Sequence, residues 1–412
     1  MAPSGGVPRI GDHGRRNIVT ARSVEQHAQH VAELLAPLHE RPAQEVPLGE
    51  SLGRVLAADV HSPVDLPLFR NSQMDGYAVD AASVVSVPAV LPVRGVIAAG
   101  PAGATTHTPG TAYRIMTGAP IPEGADAIVP VEDTEATDGQ VRIERSRTAG
   151  EFVRERGSDV REGTLLLPAG SILAARHIAV LAAVGLQHVP VRPRPRVAVI
   201  TTGAELVDAG STLHPGEIYD SNGIALASSA RANGAEVVSI ARSGDDPAEF
   251  RTLLAEATTA ADLVLTSGGV SMGDFEVVKE TLTPLGAHFG HVAMQPGGPQ
   301  GTAVVDGTPV LNFPGNPVST LVSFEVFARP EIRRAAGLDP TEPEELPLAA
   351  AVTSIPGKRQ FLRARRTDAG VELVSGPGSH LVAAMAWADV LLDVPADVTA
   401  LDAGQLVKVI PL

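Results

Sequence analysis

The sequence predicts a multidomain α/β protein: a parallel-sheet core joined to a β-rich lobe, a helical segment and a small all-β tail. Three observations carry this. The chain has 412 residues, more than one compact core accommodates, so two to four domains are expected. Between 196 and 340, continuous apolar runs alternate with helix-period segments, the pattern of parallel strands covered on both faces. Over 60–157 and 348–412, short apolar runs are broken by Gly and Pro, the texture of turn-rich β structure.

Composition narrows the function classes. A hydrophobic share of 44% excludes a disordered chain, and with only 3% aromatics the core has to be aliphatic. Cysteine is absent, which removes disulfides, thiolate metal sites and cysteine nucleophiles. A formal net charge of −15 argues against a nucleic-acid partner. No apolar run approaches the roughly 18 residues of a membrane helix, so no membrane insertion is expected. The opening MAPSGGVPRIGDHGRRN lacks the apolar segment of a signal peptide, which leaves a cytoplasmic location as the expectation. Lysine occurs only at Lys279, Lys358 and Lys408, so arginine supplies nearly all the positive charge.

The elements follow in order. Residues 1–20 read as a loose arm. SVEQHAQHVAELLAPL places Val24, Ala28, Val31, Leu34 and Leu35 on one helical face, with Ser23 as N-cap and Gln26 in the capping-box position. Stretches such as AYRIMTGAPIPEGADAIVPVED make the β-rich lobe. RHIAVLAAVGLQHV (176–189) reads as a helix ended by Gly185, and VRPRPR (191–196) as a stiff linker. Strands are expected at RVAVITT (196–202), EVVSIAR (236–242), DLVLTSGG (262–269) and TPVLNFPGNP (308–317). Helices are expected around ASSARANGA, at 246–261 and at 274–286. A Pro- and Glu-rich stretch at 337–347 marks a boundary, and the tail reads as a small β-barrel or sandwich.

Three of these strands end in unusual loops: TTGAEL (201–206), TSGGVSMGD (266–274) and FPGNPVST (313–320). Ligands of open parallel sheets bind beyond the carboxyl ends of strands, so the three loops point to one crevice. Gly268 and Gly269 allow close backbone approach, and a helix opened by Pro317 would present N–H groups to an anion. Any one of these loops also reads simply as a turn. Glu205, Asp220, Asp245, Asp246, Asp274 and Glu276 cluster near the loops. Carboxylates with few histidines suit Mg²⁺ rather than zinc, although each taken alone reads more readily as a solvated loop acid or helix cap. RNSQMDGYAVD (70–80) is a second unusual segment, with a turn around Asp75-Gly76 as its plainer reading. His288 and His291 flank Gly290 without a third ligand at metal spacing, and Trp387 reads as a core or interface residue. No Walker lysine loop, no GxGxxG after a strand and no GxSxG elbow is present.

Taken together, SQMDGYAV (72–79), IMTGAPIPEGADAIV (115–129), VRERGSDV (153–160), ITTGAEL (200–206), IYDSN (218–222), TSGGVSMGD (266–274), FPGNPVS (313–319), RQFLRA (359–364) and GSH (378–380) resemble the molybdopterin molybdenumtransferase family, the bacterial MoeA proteins and the E domain of gephyrin. The motifs run in the family's order from about 22 to 412. The resemblance implies an elongated homodimer. Its subunit would have a flexible arm (1–21), a helical linker domain (22–59 plus 158–195), a β-rich lobe (60–157), a MoaB/MogA-like α/β domain (196–340) and a C-terminal β-barrel (341–412). It implies Mg²⁺-dependent insertion of molybdenum from molybdate into adenylated molybdopterin, a small pterin substrate, with release of AMP. The active site would lie between the α/β domain of one subunit and the SQMDGYA lobe of its partner. Carried over by position, Asp75, Thr117, Glu205, Asp245 and Glu276 would be catalytic, with Asp245 and Glu276 as metal ligands. The substrate would be bound by Asp159, Asp220, Asn222, Ser267, Gly268, Gly269, Ser271, Asp274, Pro314, Gly315, Asn316, Pro317, Ser319, Arg363 and Ser379.

Four positions depart from the family pattern. Ala204 stands where STGDEL has a carboxylate, and Glu276 replaces an aspartate. QPGGP (295–299) replaces KPGKP, so Gln295 and Gly298 take the places of two lysines. Each lost cation beside a buried dianion is worth roughly 2–5 kcal/mol. An alternative is therefore a catalytically impaired, gephyrin-like paralogue acting as a protein-binding scaffold. A third reading keeps the adenylate ligand and changes the oxyanion to tungstate.

Overall fold

The computed structural model describes residues 21–101, 105–270 and 276–412. Nearly all of the expected arm, together with Ser271 and Asp274, lies outside the described residues. The chain forms two compact units: Ala43–Val191, and the segments before and after it.

In the Ala43–Val191 unit, a six-stranded sheet runs Ala127–Pro130, Gly76–Val79, Ala112–Ile115, Ala89–Ile97, Gln140–Ile143 and Thr134–Thr137 in spatial order. Tyr77, Val79, Leu91, Val129 and Ile143 form one core beneath it. A second core joins Val46, Leu56, Leu173, Val189 and Leu181, the last on the helix Ala175–Ala183. Gln44–Pro47 pairs antiparallel with His188–Val191 beside it.

The other unit begins with helix α1 (Val24–Leu35). Ser23 Oγ accepts from Gln26 N–H at 3.1 Å while Gln26 Oε1 accepts from Ser23 N–H at 2.9 Å, the capping box the sequence predicts. The sequence-based grouping of α1 with 36–59 and 158–195 does not describe its packing. Val24, Val31 and Leu35 join the α/β core, and the His27 ring meets Phe327 edge-on at 4.6 Å. An amphipathic stripe shows that a helix needs cover, without showing which surface supplies it.

The central sheet comprises β1 (Arg196–Thr202), β2 (Glu236–Ser243), β3 (Leu263–Ser267), β4 (His288–His291), β5 (Pro299–Val305) and β6 (Thr308–Phe313), in spatial order β2-β1-β3-β6-β5-β4. Helices α2 (Asn222–Ala232), α3 (Pro247–Ala260), α4 (Val277–Leu282), α5 (Pro317–Ser323) and α6 (Arg329–Ala336) accompany it. Alternation along the strands shows both faces buried. Val197, Val199, Leu263 and Leu265 enter one core, and Ala198, Ile200 and Val264 enter the other with Phe250 and Leu254 of α3. The helix expected at 274–286 is shorter: α4 stops at Leu282 and a 3₁₀ turn, Thr283–Leu285, continues it.

The sheet is mixed, not wholly parallel. Strands β2, β1, β3 and β6 are parallel, whereas β5 is antiparallel to β6 and β4 to β5. The cause is local: Asp306 and Gly307 both take positive φ, 51° and 82°, which makes the two-residue turn that returns β5 into β6 as a hairpin.

The tail forms a second six-stranded sheet, in which Met294–Gln295 pairs parallel with Arg359–Thr367, so the chain between β4 and β5 is stitched to it. Leu362, Val371, Val390, Leu392 and Val409 fill its core. Trp387 is 71% exposed and belongs to no core. No helix among the described residues is long and apolar enough to cross a membrane.

Candidate active site

Strands β1, β3 and β6 carry the three unusual loops at one end of the sheet, and buried hydrogen bonds tie the starts of the second and third loops to α2. The Asn222 amide, at the start of α2, donates to Ser267 Oγ at 3.0 Å and to the Gly315 carbonyl at 2.7 Å. Thr320 Oγ1 donates to Pro314 O at 2.6 Å and lies 3.0 Å from Ser267 Oγ. Gly268 takes φ +99° and donates its N–H to Phe313 O; a Cβ there would meet Thr202 O at 2.5 Å, so only glycine fits. Ser267, Gly268 and the 314–320 turn are thus held by the protein's own contacts.

Around this knot lies a cleft of about 740 Å³. Of the residues expected in the site, Glu205, Asp220, Asn222, Asp245, Ser267, Gly268, Gly269, Glu276, Pro314, Gly315, Asn316, Pro317, Ser319 and Ser379 line it. Their roles differ. Asp220 accepts from Thr201 Oγ1 at 2.6 Å and Gly223 N–H at 3.0 Å, so its carboxylate holds β1 to α2. Glu205 folds back over Gly203, while Glu276 precedes α4 without capping it. Asp246 is a helix cap, accepting from Ala248 N–H at 2.9 Å. Thr202 lines the cleft, and its hydroxyl is buried without a hydrogen-bond partner among the described residues.

Sheet order separates charge along the cleft. Glu205 and Asp245 follow β1 and β2 at one edge of the sheet, and His291 ends β4 at the other. Four inter-strand spacings, about 19 Å, lie between β1 and β4. Among the described residues lining the cleft, Lys358 alone has a fixed positive charge. No three His, Asp or Glu side chains among the described residues converge as a cation site. Asp245 and Glu276 both line the cleft, and Mg²⁺ is a cation that needs only one or two protein carboxylates beside substrate phosphates and water.

Two expectations change on inspection. Arg363 does not line the cleft: it is 2% exposed and donates to Ser375 Oγ at 3.0 Å and to the Gly378 and Gly376 carbonyls, with burial lowering its pKa. It shapes the 375–379 loop from beneath. The first turn of α5 is also partly engaged, because Val318 N–H donates to Ser379 O at 3.1 Å.

Asp75, Thr117 and Asp159 belong to the Ala43–Val191 unit. Asp75 Oδ1 accepts from Thr117 N–H at 2.7 Å and Thr117 Oγ1 at 2.8 Å. The backbone donor first, and then the hydroxyl, hold this exposed carboxyl below its usual range. Residues 42 apart in sequence are thereby one group, whereas Asp159 is exposed and bonds through its backbone N–H to Leu66 O at 3.0 Å.

His291 and Lys358 line the cleft and escape the motif reading. The rarity of lysine is the one signal in the sequence that marks Lys358. Nothing local marks His291, because strand pairing brings it there.

Comparison with known proteins agrees with this geometry. Family models match end to end: the MoeA N-terminal region (domain I and II) over 22–185, a probable molybdopterin binding domain over 198–334 and the MoeA C-terminal region (domain IV) over 345–412. Molybdopterin molybdenumtransferase 2 of Mycobacterium tuberculosis is 47% identical over 94% of this chain and 99% of its own length. Molybdopterin molybdenumtransferase 1 of the same organism is 36% identical over 94% and 98%. Two crystal structures of molybdopterin biosynthesis MoeA protein from Pyrococcus horikoshii superpose with TM-scores of 0.78 and 0.66. Their identities are 33% and 25%, each covering 95% of this chain and 99% or 100% of theirs.

Proposed function

We propose, because this chain belongs to the molybdopterin molybdenumtransferase (MoeA) family, that it inserts molybdenum from molybdate into adenylated molybdopterin with release of AMP. Its role lies in molybdenum cofactor biosynthesis. The observation that carries the reading is the cleft itself: a hydrogen-bonded loop knot with carboxylates at one edge and a lysine at the other. No observation favours the scaffold alternative.

The residues divide the work by chemistry. Asp245 and Glu276 would hold Mg²⁺, whose contribution is to neutralise charge on the substrate's phosphates. Glu205, which lines the cleft, would orient the oxygen that attacks the adenylate phosphorus. Ser379, presented by the loop that Arg363 holds, together with the other polar groups lining the cleft, would stabilise anionic oxygens. Asp75 and Thr117 serve the same reaction from the second subunit of a homodimer. Asp159 contacts substrate from that lobe, and the enzyme works in the cytoplasm.

The test is AMP release from adenylated molybdopterin by the purified protein, with Mg²⁺, in the presence and absence of molybdate. Molybdate-dependent release, lost with EDTA and restored by Mg²⁺, is the expected result. A folded protein that releases no AMP under any of these conditions overturns the reading.

A further inference from the structure

At the β4 end of the cleft, one side chain occupies the volume of another. Antiparallel pairing sets His291 opposite Pro299, and Val292 N–H donates to Gly298 O at 2.7 Å. A Cβ on residue 298 would lie 2.4 Å from His291 Cε1 and 2.6 Å from Nε2. The imidazole therefore fills the space into which any side chain at 298 would project. Lys358 reaches the same end because Met294 and Gln295 pair with Arg359 and Gln360. Burial, and then the nearby Lys358 charge, lower the proton affinity of His291. Gln295 is fixed as well. Its Oε1 accepts from Gln360 Nε2 at 2.5 Å, and Gln360 Oε1 in turn accepts from Ser354 Oγ at 2.7 Å. That chain leaves the Gln295 amide with its NH₂ as the end that Gln360 does not engage.

We propose that Lys358 and His291, with the Gln295 NH₂, form the oxyanion-binding end of the cleft. There they hold a tetrahedral dianion of the molybdate class without side-chain cations at 295 and 298. The assignment rests on the transferase reading above. Lys358 supplies the fixed charge, and the His291 ring and the Gln295 amide supply directed donors. Glu205 and Asp245 follow β1 and β2, well away from β4 in the strand order, so Lys358 is the charge set at this end of the cleft.

Lys358→Met and His291→Ala are the decisive variants, read by the KM for molybdate and the KM for adenylated molybdopterin in the AMP-release assay. Loss of one charge-assisted contact predicts a rise in the molybdate KM of roughly 10- to 100-fold for Lys358→Met, with the pterin KM held. Lys358→Arg recovers most of the loss. In the double variant His291→Gly with Gly298→Lys, vacating the ring lets a lysine in, and molybdate affinity returns to at least the wild-type level. A molybdate KM unchanged within about twofold in both single variants overturns the assignment, as does an equal rise in both KM values. Should the wild type release no AMP, the transferase reading falls. Calorimetry with sodium molybdate alone then decides this proposal: binding that Lys358→Met abolishes sustains it, and binding insensitive to both variants ends it.

Discussion

Asn222→Ala tests whether the loop knot is what builds the cleft. The Asn222 amide donates to Ser267 Oγ at 3.0 Å and Gly315 O at 2.7 Å, and the side chain is almost wholly buried. Truncation removes two hydrogen bonds and strands the Gly315 carbonyl, a combined cost of about 2–4 kcal/mol. At roughly 2–4 °C per kcal/mol, the melting temperature should fall by roughly 4–16 °C in scanning fluorimetry. Asn222→Asp keeps the size but sets a carboxylate oxygen against Gly315 O, so it should melt at least as low as the alanine variant. At a temperature where all three proteins are folded, the KM for adenylated molybdopterin should rise in both variants, because Gly315 and Ser267 line the binding cleft. If both variants melt within about 1 °C of wild type with an unchanged KM, the two hydrogen bonds do not organise the site and the reasoning fails.

Other outcomes follow from the same structure. His27 is buried, and its pKa is lowered from 6.5 to about 4, chiefly by desolvation and then by the charges of His30, Arg22 and His288. Because the unfolded chain takes the proton first, stability is full above pH 6.5 and falls by up to about 3 kcal/mol towards pH 4. Denaturant titrations at pH 7, 5.5 and 4.5 should show that slope in wild type and a flatter one in His27→Leu. Asp75→Ala and Glu205→Ala should each be folded and inactive, and mixing them under subunit exchange should restore about a quarter of wild-type activity; no recovery in verified mixed dimers would remove Asp75 from the partner's site. Gly268→Ala forces a Cβ to within 2.5 Å of Thr202 O at φ +99°, so AMP release should collapse along with a loss of thermal stability. A fully active, equally stable Gly268→Ala protein would mean that this close approach is not required.

Local chemistry was the part the sequence made legible. The capping box of Ser23 and Gln26 uses only neighbours, as do the apolar runs of β1, β3 and β6 and the glycines at their ends. The hairpin that makes the sheet mixed had a local signal in Asp306-Gly307, but Pro299–Val305 follows Gly and Pro and opens on Pro, Gln and Gly, which obscured its strand character. Docking of α1 on Phe327 was not legible, because periodicity specifies a face and not its cover. Arg363 shows the same limit at the site. The family resemblance implied an anion contact, whereas only the fold shows the guanidinium turned under the 375–379 loop. Strand pairing from β4 and the tail likewise delivers His291 and Lys358, and no motif spans that distance.

The overlap between the His291 ring and the missing side chain at 298 constrains change at both positions. A descendant that gains a lysine at 298 needs the far end of the His291 ring to turn aside, and one that first loses the ring gives up a ligand donor before its replacement arrives. The effect of either change therefore depends on the other, so residues 291 and 298 are expected to vary as a pair even where the rest of the cleft is interchangeable.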